Sequence, residues 1–332
     1  MKRKEILDRM GLCLPQGKQI RVVISSDVSN EADDPFAIVH QLLTPIFDVR
    51  GVIAAHYEGK THGDRQSMEN SYRMLTALME ATGMTDVPML RGCATPLAGE
   101  HDTPDAEGVR FLIEEAQRDD PRPLYVTVQG ALTDVAAALN RCPAIAGKMT
   151  VVWIGGMPYP KGGCDFNMKQ DLAAARAVFG SEVTLWQLPV NVYGTVEVTM
   201  AEIAHKIRPC GTVGRYLYDM MEQYNLTNNE PYTLRKGESW NFGDSPVVAA
   251  LLGCDWRQNF HMEPAPVLAD GGRYLPGSGR AIRGLRFSGR ALFAGGLFCK
   301  ARLSAMGRGQ TKREAAPLGC KLTNPVPVSC QK

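Results

Sequence analysis

Residues 22–37 read Val-Val-Ile-Ser-Ser-Asp27-Val-Ser-Asn30-Glu31-Ala-Asp33-Asp34-Pro-Phe-Ala. A β-branched run stops abruptly at a group of aspartates and then enters an amphipathic segment carrying Phe36, Ile38, Val39, Leu42 and Leu43. No other stretch limits the fold as tightly. Crowded carboxylates raise the cost of one another's ionisation, and a hard cation with oxygen ligands relieves it. In open α/β sheets the carboxyl edge of the strands is also where ligands bind. A plainer reading makes Asp33 and Asp34 helix-start acids favoured by the dipole, with Asp27 in a turn. Both readings stand at this point.

The rest of the body alternates strand and helix signals. Strands are expected at Arg21–Ser25, Val49–Ala55, Val87–Arg91, Leu124–Val128, Met149–Ile154 and Val183–Leu188. Helices are expected at Asp34–Leu43, Ser67–Ala81, Glu107–Gln117, Thr133–Asn140, Leu172–Phe179 and, broken at Pro209–Gly211, over Thr199–Tyr224. Val49–Ala55 is almost continuously apolar, as strands buried on both faces are. Such alternation predicts an α/β fold: one open, mostly parallel, Rossmann-like sheet with helices on both faces. Asn225–Phe242 is polar and reads as a loop over the site, and Ser245–Leu252 as a helix directly after Asp244.

With 332 residues, 44% of them hydrophobic, the chain can bury a sizeable core. No apolar run is long enough to cross a bilayer, and the charged start Met-Lys-Arg-Lys-Glu is unlike a secretion signal; a cytoplasmic protein is expected. Nine cysteines without paired Cys-x-x-Cys spacing point to reduced thiols. From Leu285 onward nine Lys/Arg stand against one acid, a net +8 that leaves the rest at −6. This tail lacks helical or strand periodicity. One permitted set of codons, shifted by one base, converts its start into Val-Tyr-Asp-Ser-Val-Asp-Gly-Arg-Cys-Ser-Leu-Glu-Asp-Phe-Phe-Ala-Lys-Leu-Ala and a stop. The division expected is therefore a single domain over 1–283 and an out-of-frame, poorly ordered tail over 284–332. A basic nucleic-acid arm is set aside on that ground.

Four segments fall where strands should end: Asp27…Asp33-Asp34; Gly130-Ala-Leu-Thr133-Asp134; Gly155-Gly156 followed by Asp165-Phe166-Asn167 and Asp171; and Gly243-Asp244-Ser-Pro. Each alone also reads as a helix cap or a simple turn. In this order they resemble the nucleoside hydrolase (nucleoside N-ribohydrolase) family. The likeness extends to Asp86-Val-Pro-Met-Leu-Arg-Gly92-Cys-Ala-Thr-Pro96-Leu, to Gly130-Ala-Leu-Thr-Asp-Val-Ala-Ala-Ala-Leu and to Asp171-Leu-Ala-Ala-Ala, and it spans roughly residues 20–283.

The resemblance implies a nucleoside hydrolase fold and one Ca²⁺ held by Asp27, Asp34, Asp244 and the main-chain carbonyl of Thr133, all oxygen donors. It implies that the ion grips ribose through its 2′- and 3′-hydroxyls, that a water lies beneath C1′, and that Asp27 takes that water's proton. The N-glycosidic bond of a ribonucleoside or related riboside would then break through an oxocarbenium-like transition state. Asp33 and Asn167 would bind ribose hydroxyls, and Asp165 the 5′-hydroxyl. Purine or pyrimidine salvage is the implied setting, a small riboside the partner, and a homodimer or homotetramer the implied assembly; neither nucleic acid nor membrane is expected as a partner.

The chain also departs from the pattern. Five residues separate Asp27 from Asp33 where the usual motif has three, which brings Asn30 and Glu31 forward as sugar contacts. Tyr57-Glu58, preceded by His56, replaces the usual Gly-Asn, so His56 and Glu58 join the substrate-binding candidates. Asp165 replaces Glu. Gly243 stands where purine-accepting members often have His to help the base leave, a task left to His56, His62, Tyr232 or Trp240, or to a substrate needing less help. Two other classes stay open: a metal-dependent phosphatase, which lacks its usual Asp-x-Asp and phosphate loop here, and a non-catalytic Ca²⁺-dependent riboside-binding relative.

Overall fold

The protein is described by a computed structural model over residues 1–15, 17–61, 63–227, 237–253, 260–277, 279–286 and 295–305. In chain order the strands are β1 (Ile20–Ser26), β2 (Phe47–Ala54), β3 (Met89–Arg91), β4 (Leu124–Gln129), β5 (Thr150–Ile154), β6 (Thr184–Leu188), β7 (Glu197–Thr199), β8 (Ser239–Asn241), β9 (Phe260–Pro264), β10 (Val267–Leu268), β11 (Tyr274–Leu275) and β12 (Ala281–Leu285). The helices are α1 (Arg3–Arg9), α2 (Asp34–Leu42), α3 (Glu58–Thr61), α4 (Ser67–Thr82), α5 (Glu107–Gln117), α6 (Thr133–Arg141), α7 (Phe166–Gln170), α8 (Leu172–Gly180), α9 (Val190–Tyr193), α10 (Met200–Lys206), α11 (Gly211–Thr227), α12 (Pro246–Leu252) and α13 (Gly296–Ala305).

Eight strands form one sheet in the order β3-β2-β1-β4-β5-β6-β12-β9. All neighbours are parallel except the last pair, where β9 runs against β12. The first six follow the doubly wound order, which reverses between β1 and β4 and opens a crevice at their carboxyl ends. The strands read as they do because both faces are covered. Val22 and Ile24 of β1 belong to a core with Phe36, Leu42 and Leu75, whereas Val23 packs on the other face with Ile53, Val126 and Trp153. A crossover helix after each strand supplies those two layers.

Expected and observed elements agree closely through β6, with ends shifted by a residue or two. Beyond it the expected single loop over Asn225–Phe242 is partly strand: β8 pairs antiparallel with β7, Glu197 opposite Asn241. This ribbon leads straight into Asp244, and Phe242 stacks on Phe36 of α2 with ring centroids 4.7 Å apart. The boundary expected at residue 283 is not where order stops. Gly284 and Leu285 complete β12, with Gly284 beside Gln187 of β6. α13 then packs on α1 and α2, with Leu297, Phe298 and Ala301 buried. Lys300 donates to Thr44 Oγ1 at 2.8 Å. Apolar residues at 297, 298 and 301 recur at helical spacing, a pattern too short to see within the Gly-rich run around it; residues 306–332 lie outside the described residues.

Leu297 has no exposed surface, so Leu297→Ala should cost about 2–5 kcal/mol in a denaturant melt. An unchanged midpoint would show that this helix takes no part in the fold.

Candidate functional site

The carboxyl ends of β1 and β4 enclose a cavity of about 220 Å³ lined by Asp27, Asn30, Glu31, Asp33, Asp34, Gln129, Asn167, Tyr193, Asn241, Gly243 and Asp244, with Ile154 and Phe166. A larger cavity of about 990 Å³ lies at the opposite, amino-terminal edge of the sheet, beside Phe47, Asp48 and Arg122. Its walls mix both signs of charge, with Arg122 paired to Asp48 at 2.9 Å and Arg50 to Asp48 at 3.4 Å. The acidic cavity is the one with unsettled charge.

β1 ends at Ser26, so Asp27 sits where the backbone leaves the sheet, and Asn30 N–H closes the turn onto Asp27 C=O at 2.7 Å. Asp33 stands at the N-cap position of α2 without a side-chain cap bond, and Asp34 is the first residue of the helix. Asp244 arrives from the β7–β8 ribbon, and its N–H donates to Asp33 Oδ2 at 3.2 Å. One oxygen from each of Asp33, Asp34 and Asp244 can be chosen so that all three lie within 4.8 Å of one another. Asp34 also accepts from Ser26 Oγ at 2.5 Å. Asp27, only 1% exposed, lines the same cavity, and its Oδ2 has no partner.

The electrostatics follow from burial. Desolvation, then the Asp34 charge, pushes the Asp27 and Asp244 carboxyls well above the usual range; Asp33 is raised for the same two reasons. Burial raises Asp34 to about 6, and hydrogen bonds from Asp244 and Ser26 limit the rise. Four buried acids with one lysine nearby, Lys60, which lowers Asp27, form a donor set suited to a hard divalent cation. All the donors are carboxylate oxygens; soft-metal ligands are missing from the described lining.

Of the residues singled out from sequence, the fold brings Asp27, Asn30, Asp33, Asp34, Asn167 and Asp244 to this one cavity. Asn30 is fixed by Lys60, whose Nζ donates to its Oδ1 and its C=O, both at 2.8 Å. Asn167 donates from Nδ2 to Ile154 C=O at 3.0 Å. Asp33, expected as a sugar contact, stands in the tightest acid trio in place of Asp27.

Four of the expected residues lie elsewhere. Asp165 caps α7: Oδ1 accepts from Met168 N–H at 2.9 Å and Oδ2 from the Tyr193 hydroxyl at 2.9 Å. Both oxygens are committed, so it orients Tyr193, which does line the cavity. Glu58 accepts from Ser67 N–H at 3.1 Å, from the Ser67 hydroxyl, and from Arg65 N–H at 2.8 Å. It fastens the start of α4. Although burial pushes its carboxyl up, these bonds hold it below the usual value. His56 is fully buried, with Nδ1 accepting from Glu58 N–H at 3.4 Å and Nε2 2.7 Å from Thr133 Oγ1. Burial lowers it to about 4. Thr133 Oγ1 in turn donates to Asp171 Oδ2 at 2.8 Å, and Asp171 caps α8 through Ala174 N–H. His56, Thr133 and Asp171 are thus a hydrogen-bonded clamp joining the end of β2 to the starts of α6 and α8. Trp240 is buried against Tyr224, ring centroids 5.4 Å apart; His62 and Tyr232 lie outside the described residues.

Sequence reasoning missed Gln129, Tyr193 and Asn241. Gln129 immediately precedes the Gly130 turn and could have been found from that position; Tyr193 and Asn241 carry no local signal. Asn241 donates to Tyr193 C=O at 3.1 Å. Gly243 is explained by the same neighbours: a Cβ there would lie 2.9 Å from Asn241 Oδ1 and 3.3 Å from Tyr193. Asn241 and Tyr193 fill the space that a side chain at 243 would need.

The arrangement defines an α/β protein with an acidic pocket at the topological switch point. Residues 22–286 match the model of the inosine-uridine preferring nucleoside hydrolases. The chain belongs to that family, whose fold serves enzymes that hydrolyse N-glycosidic bonds. Among its relatives is the pyrimidine-specific ribonucleoside hydrolase RihA of Salmonella arizonae, 25% identical over 244 residues, which cover 65% of this chain and 73% of that protein. Among solved structures, a purine-preferring ribonucleoside hydrolase from Gardnerella vaginalis superposes with a TM-score of 0.67 at 17% identity, covering 86% of this chain and 99% of that one. A plant nucleoside hydrolase gives 0.66 at 18% identity, over 87% and 100%.

Raised carboxyl pKa values mean that the folded chain keeps protons which the unfolded chain releases. Their contribution to metal-free stability is present below about pH 4 and drains as pH rises through 6 and beyond. A cation that replaces those protons should therefore raise Tm more at pH 8 than at pH 5, by roughly 2.7 kcal/mol of stability at a hundredfold excess over Kd. A Ca²⁺-induced shift in Tm that is independent of pH would contradict this account of the cluster.

Proposed function

We propose that this protein hydrolyses the N-glycosidic bond of ribonucleosides or closely related ribosides, giving ribose and the free base. The observation carrying the reading is the unpartnered Asp27 Oδ2 beside the buried trio Asp33, Asp34 and Asp244. The trio would hold Ca²⁺ through carboxylate oxygens, with the Thr133 main-chain carbonyl as the further oxygen donor that the family resemblance implies. Bound there, the ion would supply positive charge for gripping vicinal sugar hydroxyls and for acidifying a nearby water.

The side chains then divide the work. Asp27 accepts the proton of the attacking water through Oδ2, the buried carboxylate oxygen left without a partner. The water oxygen bonds to C1′ as the C1′–N electron pair leaves with the base. Positive charge developing on the sugar ring is met by the surrounding acids, held in place before reaction by burial and their hydrogen bonds. Asn30 and Asn167 present amides to the sugar hydroxyls, and Tyr193, tied to Asp165, forms a wall of the pocket. A site built to hydrogen-bond hydroxyls penalises a sugar that lacks one, so ribosides are preferred over 2′-deoxyribosides. No histidine is among the described residues lining the cavity. The accepted base is accordingly a good leaving group, or is protonated from outside this pocket wall.

The test is a panel of purine, pyrimidine and nicotinamide ribosides assayed for free ribose. Release should fall about 10²–10⁴-fold in Asp27→Ala while Tm is kept, vanish on chelation, and return better with Ca²⁺ than with Mg²⁺. Full activity in Asp27→Ala would remove the general base; binding of ribosides without release of ribose would select a non-catalytic relative instead.

A further inference from the structure

Among the described residues, a buried polar chain runs to the acidic pocket and ends there on an atom without a partner. Thr127 Oγ1 donates to Gln41 Oε1 at 2.8 Å, and Gln41 Nε2 donates to Gln129 Oε1 at 2.8 Å. Each of these three side chains has no exposed surface. Gln129 Nε2, the last donor of the chain, has no partner, although Gln129 lines the cavity. A buried amide donor left unsatisfied costs about 1–3 kcal/mol, and such groups call for an explanation.

The direction of the amide is set by its surroundings. Thr127 Oγ1 also lies 3.4 Å from Val23 C=O, so the chain could in principle run the other way, turning Gln129 Oε1 toward the pocket. That would aim a carbonyl dipole's negative end at four carboxylates. The negative field of the pocket favours the donor facing inward. Gln129 also stands beside Ser26 in the β1–β4 register, one residue before Asp27. The two orphaned atoms, Asp27 Oδ2 and Gln129 Nε2, are thus an acceptor and a donor at the ends of adjacent strands, on residues lining one cavity. A water lying between them would satisfy both, donating to the first and accepting a hydrogen bond from the second.

We propose that Gln129 positions the attacking water, holding its oxygen through Nε2–H while Asp27 Oδ2 takes its proton. Gln41 and Thr127 act behind it by fixing the amide plane. This rests on the hydrolase reading above. In the step itself, one water O–H bond breaks with the proton going to Asp27. The oxygen lone pair that Gln129 has oriented forms the bond to C1′, and the C1′–N pair departs with the base.

The test compares wild type with Gln129→Met, which keeps length but has no donor, and with Gln41→Met, which releases the amide from behind. Readouts are kcat and KM on whichever riboside the wild type cleaves, with Ca²⁺ and free-ribose affinities by calorimetry and Tm by scanning. Expected for Gln129→Met is a fall in kcat of about 10- to 100-fold, the scale of a misplaced reactant, with Ca²⁺ and ribose affinities within twofold of wild type. Gln41→Met should lose less, and should add nothing in the Gln129→Met background, because the two act through one water. If Gln129→Met fails to fold, Gln41→Met alone must show the same split between kcat and ribose affinity. An unchanged kcat overturns the inference. So does a matching loss of ribose affinity, which would assign the amide to the sugar, or a loss of Ca²⁺ affinity, which would assign its oxygen to the ion. A wild type that releases ribose from no riboside sinks the hydrolase reading; a fully active Gln129→Met sinks only the role of Gln129.

Discussion

Four aspartates forced together out of water are the constraint around which the rest of this structure is arranged. Burial and mutual repulsion drive Asp27, Asp33 and Asp244 far from their ordinary ionisation, and the cluster is stable without a counter-charge only by keeping protons. The fold tolerates it because the acids sit on rigid starts and ends: the close of β1, the first turn of α2, and a ribbon pinned by the Phe36–Phe242 stack. The crowding that costs stability is also what makes this cluster a donor set suited to a hard cation.

The sheet explains why these residues meet although 217 positions separate Asp27 from Asp244. The strand order reverses between β1 and β4, so the helices that follow them diverge and leave a crevice. Asp27 and Gln129 enter it from its two sides, and Asp244 reaches it from just before the first turn of α12. Residues that a linear reading ranks together can be separated by this geometry. His56 and Glu58 follow β2, one strand away from the reversal, and are turned into the packing between helices.

Much of this was legible in the sequence. Alternating strand and helix periods gave the sheet, and the acidic strand end at Asp27–Asp34 located its working edge, because a carboxylate cluster after a buried strand has few physical explanations. The parts that were not legible are those decided by side-chain partners. Asp165 and Glu58 look like free acids in sequence, yet each is consumed by nearby N–H and O–H groups that spacing alone does not reveal. Gln129 escaped notice because an amide in an apolar strand has no periodic signature. Strand β8 was read as loop because Ser239-Trp240-Asn241 is too short to alternate, and α13 was dismissed with a tail whose glycines mask its apolar spacing.

The clamp of His56, Thr133 and Asp171 has one more consequence. Histidine is ordinarily the side chain that gives a protein its response near neutrality, but here the imidazole is uncharged at any pH above about 4. The histidine spans its segments without a charge of its own, and the ionisable member of the clamp is Asp171, whose carboxyl burial raises. Acidification therefore reaches this scaffold through a carboxyl and not through its imidazole, which keeps both of its bonds over the range in which Asp34 takes up a proton.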